Sequence, residues 1–112
     1  MSDLSILEIQ YADESIDVDE HAERIYAILK ECGYGREALN DLRDAFTDGE
    51  AELGGRVETL LYITEEIAKL VPDIKFSARG TGEEFRDTWV REFENGKVTF
   101  AAGPWQYGHS SE

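Results

Sequence analysis

At 112 residues, with 41% hydrophobic and 11% aromatic content, the chain is long and apolar enough for one packed domain, which excludes a disordered acidic tail. It carries 25 Asp and Glu against 11 Lys and Arg, a net charge of −14, and a potential of that sign repels phosphate backbones and attracts cationic surfaces. Cys32 is the single cysteine, which excludes an intramolecular disulfide and any zinc site built on several thiolates; no run approaches the roughly 20 apolar residues of a membrane span.

Taken in order, Leu7, Ile9 and Tyr11 alternate with Glu8 and Gln10, the period of a half-buried strand within Leu4 to Tyr11. After the acidic stretch Asp13 to Asp19, the positions Ala22, Ile25, Ile28, Leu29 and Cys32 recur at helical spacing, with Asp17 or Asp19 placed to cap the start. Gly33 and Gly35 end that helix. A shorter second helix is predicted from Ala38, Leu39, Leu42, Ala45 and Phe46, stopping near Asp48-Gly49. The third follows Val57, Leu60, Leu61, Thr64, Ile67, Ala68 and Val71 for four turns and ends before Pro72.

The last forty residues change period. Ile74, Phe76 and Ala78 alternate with Lys75, Ser77 and Arg79, and the segments 83–94 and 97–102 flank Asn95-Gly96, a two-residue hairpin turn whose residues both take positive φ. That turn predicts the pairs Glu94 with Lys97, Phe93 with Val98, Arg91 with Phe100 and Trp89 with Ala102. It also predicts a core face of Phe85, Asp87, Trp89, Arg91, Phe93, Val98, Phe100 and Ala102, with two charges on an otherwise apolar surface. Residues 103–112 read as a flexible tail carrying Trp105 and Tyr107. The expected fold is a single α+β domain over 1–112 in the order β-α-α-α-β-β-β. Its antiparallel sheet combines the C-terminal three-stranded meander with the N-terminal strand, and the helices pack on one face.

The motifs that carry chemistry elsewhere fail here on spacing. Gly33-Tyr34-Gly35-Arg36-Glu37-Ala38 has the letters of a dinucleotide fingerprint, yet it follows a helix instead of a strand, so a glycine C-cap is expected. Asp13, Ser15, Asp17 and Asp19 alternate like calcium ligands, but a twelve-residue loop from Asp13 puts Val18 where glycine belongs and Arg24 where glutamate belongs. His21-Ala22-Glu23 lacks the partner cysteines of a zinc deaminase, and Cys32 reads as a small buried hydrophobe. No metal, cofactor or catalytic residue is expected.

Charge placement is the remaining clue. Residues 1–58 hold sixteen acids and five bases, net −11, whereas 59–112 hold nine acids and six bases, net −3. The bases are too scattered for direct nucleic-acid binding, and with neither a signal segment nor a membrane span a soluble cytoplasmic protein is expected. Asp13, Glu14, Asp17, Asp19, Glu20, Glu23, Glu37, Asp41, Asp44 and Asp48 are the candidate partner-binding residues, a negative row suited to the basic surface of a protein partner. The concrete form is an acidic inhibitor of a nucleic-acid-binding protein, of the anti-CRISPR, anti-restriction or nuclease-immunity type. One alternative is a small enzyme or ligand-binding domain with a site at Asp87, Trp89 and Arg91. Another is a structural or oligomerisation module.

Overall fold

The structure, a computed structural model, describes residues 4–82 and 88–103. Its elements run β1 (Leu4–Tyr11), a 3₁₀ turn (Asp19–His21), α1 (Ala22–Glu31), α2 (Glu37–Asp48), β2 (Glu50–Gly54), α3 (Val57–Leu70), β3 (Phe76–Thr81), β4 (Thr88–Glu94) and β5 (Lys97–Ala102). The architecture is α+β, as expected: a five-stranded antiparallel sheet in the order β2-β1-β3-β4-β5 with the helices on one face. α2 packs over β1 and β2, α3 over β3, β4 and β5, and α1 against both helices.

β2 is a strand additional to the expected order. Glu50, Ala51, Glu52 and Leu53 alternate with period two, and Leu53 is buried while Glu50 and Glu52 face out. Pairing Leu4 with Gly54 through Glu8 with Glu50 makes β2 an edge strand beside β1.

The helices follow their apolar periods. All five residues expected on the inner stripe of α2 are buried, and on α3 Ile63 joins Val57, Leu60, Thr64, Ile67 and Ala68. Ile16 and Val18, inside the acidic stretch, are also buried and fasten the β1–α1 connection to the core. At the end of α1, Tyr34 N–H donates to Leu29 O at 3.0 Å and Gly33 N–H to Lys30 O at 3.1 Å, with Gly33 at φ +88°, so the glycine-rich letters form a helix cap.

On the sheet, Phe76 is the aromatic hub. Its ring stacks on Phe93 at 4.9 Å between centroids and meets Phe46 edge-on at 6.1 Å, while Tyr11 Oη donates to Phe46 O at 2.6 Å. Trp89 is fully buried, its indole N–H donating to Val57 O at 2.7 Å, which ties β4 to the start of α3. Gly80 lies opposite Trp89 on β3, and a Cβ there would overlap the indole.

The hairpin register holds for its first two pairs and then slips. Asn95 and Gly96 take φ +58° and +74°, and Glu94 faces Lys97 and Phe93 faces Val98 as expected. A β-bulge between Glu92 and Phe93 then leaves Thr99 as the extra residue, so Phe100 faces Glu92, Ala101 faces Arg91 and Ala102 faces Val90, in place of Arg91 with Phe100 and Trp89 with Ala102. An extra residue reverses the facing of everything beyond it, so Phe100 leaves the expected core face and is 50% exposed; Val98 is 42% exposed. Of the other residues expected on that face, Phe85 and Asp87 lie outside the described residues, as does the tail beyond Gly103.

Gly80→Ala should lower stability by about 1–3 kcal/mol, the cost of overpacking a site with no room for a methyl group. Thermal or urea unfolding checks it; an unchanged midpoint would mean that Trp89 does not rest on β3 as described.

Candidate functional site

α2 sorts its charges onto two flanks. Residues advance about 100° each around a helix, so Arg36, Asn40, Arg43 and Thr47 share one side of the buried stripe and Glu37, Asp41, Asp44 and Asp48 share the other. The first flank faces the start of α1. Arg43 contacts Asp19 with Nη2 to Oδ1 at 2.8 Å and Nε to the same oxygen at 2.9 Å, and its Nη1 donates to Asn40 Oδ1 at 2.7 Å. Arg36 approaches Glu23 at 3.7 Å and lies over the Tyr26 ring at 4.3 Å.

The second flank lies across the buried stripe from the one that meets α1. Among the described residues no cation comes within ion-pair distance of Glu37, Asp41, Asp44 or Asp48. Asp41 sits in the middle, and its carboxyl is pushed above the usual carboxylate range by partial burial first, then by Asp44, then by Glu37. Asp48 occupies the last position of α2, whose final turn has no base, so it also opposes the helix dipole.

The other predicted acids divide. Asp17 accepts backbone N–H groups from Asp19 at 3.0 Å and Glu20 at 3.4 Å, capping the 3₁₀ turn instead of α1 itself. Asp19 and Glu23 are taken by the two arginines, and Glu20 is exposed. Asp13 and Glu14 lie apart, bordering a surface depression with Asp73, Ile74 and Lys75. The ten residues therefore resolve into a cap, a salt-bridged seam between α1 and α2, an exposed Glu20, a loop pair and one uncompensated helix flank. The sorting of α2 was present in the residue spacing, in the i, i+4, i+7, i+11 run of acids beside an i, i+7 pair of arginines.

At the alternative site, Asp87 lies outside the described residues. Trp89 has no accessible ring surface, and the Arg91 side chain is only 11% exposed. Arg91 Nη1 donates to Val90 O at 2.9 Å and Ala102 O at 3.0 Å, and its Nε lies 3.8 Å from Glu65 Oε2 of α3. These contacts fasten β5 to α3. On the open sheet face a shallow depression of about 190 Å³ is lined by Glu8, Gln10, Ser77, Ala78, Arg79 and Val90, below the usual size of a small-molecule pocket.

Cys32 is half-buried, and its thiol is pushed up by burial and by Glu31, the opposite of activation. Among the described residues no group of three His, Cys, Asp or Glu side chains gathers closely enough to hold a metal ion, and no helix is long and apolar enough to cross a membrane. In comparison with known proteins, no family model, curated protein or solved structure matches the chain.

Asp41→Asn should stabilise the fold. Its two like-charged helix neighbours cost about 0.2–0.5 kcal/mol each, so the gain at neutral pH is about 0.5–1 kcal/mol. A carboxyl raised in the folded state binds its proton more tightly there than in the unfolded chain, so its penalty is full at neutral pH and disappears once the pH falls below its ordinary value of 3.8. Urea unfolding of both proteins should accordingly show a gap at pH 7 that closes on acidification.

Proposed function

We propose that the chain is a non-enzymatic binding protein whose acidic α2 flank occupies a positively charged surface of a protein partner. The concrete form is an inhibitor of a nucleic-acid-binding protein, of the anti-CRISPR, anti-restriction or nuclease-immunity type. The observation that carries this reading is the uncompensated row Glu37, Asp41, Asp44 and Asp48, set beside two arginines that are both engaged elsewhere.

Such a row costs stability through like-charge repulsion and through an acid at a helix C-terminus. A fold that keeps a local conflict without compensation commonly does so for function. The row also has the right form for a basic groove. Its four carboxylates advance about 4.5–6 Å per step along roughly 16 Å of helix, sparser than the one phosphate per about 3.4 Å of a single DNA strand but of the same sign and linear arrangement.

A field of this kind steers encounter more than it tightens the final complex. With a partner isolated by affinity capture at low salt, the association rate should fall by about tenfold or more between low and half-molar salt while the dissociation rate changes little. An association rate indifferent to ionic strength would refute the proposal.

A further inference from the structure

We draw no further inference here: the strongest candidate, the β5 edge of the sheet with exposed Val98 and Phe100 on its opposite faces, carries none because nothing in the structure shows what covers it.

Discussion

The contact between Arg43 and Asp19 at 2.8 Å, with Arg36 on Glu23 and Tyr26, commits the cation of α2 and the one at its N-cap to the side that meets α1. These pairs are largely exposed, and each contributes little to stability by itself. Their effect is positional. By orienting the two basic residues toward the acids at the start of α1, they leave Glu37, Asp41, Asp44 and Asp48 with no counter-charge among the described residues, and the potential of α2 is concentrated on one flank instead of being cancelled along the helix.

The sheet gives that flank a rigid base. α2 rests on β1 and β2 through Leu39, Leu42, Ala45 and Phe46, and Phe46 connects to the ring cluster at Phe76 and Phe93. Trp89, seated over Gly80 and bonded to Val57 O, locks the far side of the sheet to α3. The two ends of the sheet consequently differ in charge and apolar exposure. One end carries Glu50 and Glu52 on the exposed edge strand β2, and the other presents Val98 and Phe100.

Much of the fold was legible in the residues. The inner stripe of α2, the four turns of α3 ending before Pro72, and the Asn95-Gly96 turn each obey a strong local rule, and each appears in the structure. β2 was not read because five residues between two glycines, two of them glutamates, carry a weak alternation beside the stronger helical signals. The bulge was invisible because nothing in Val98-Thr99-Phe100 marks an extra residue, and one added residue was enough to exchange the faces of Phe100 and Ala101. At the candidate site, composition identified the acids, but only the tertiary contacts separated the cap at Asp17 and the salt-bridged Asp19 and Glu23 from the flank of α2.

Whether that flank or the bulk charge of the protein makes the binding surface is decided by two variants of equal charge. Asp41→Asn with Asp44→Asn alters the flank, and Asp73→Asn with Glu92→Gln alters exposed acids elsewhere; each removes two of the fourteen net negative charges and leaves −12. The measurement is the association rate of each with the captured partner at low salt. The account predicts a marked loss for the flank variant alone, with the second variant close to wild type. Equal losses in the two would contradict it and reduce the acidity of α2 to a share of a diffuse net charge.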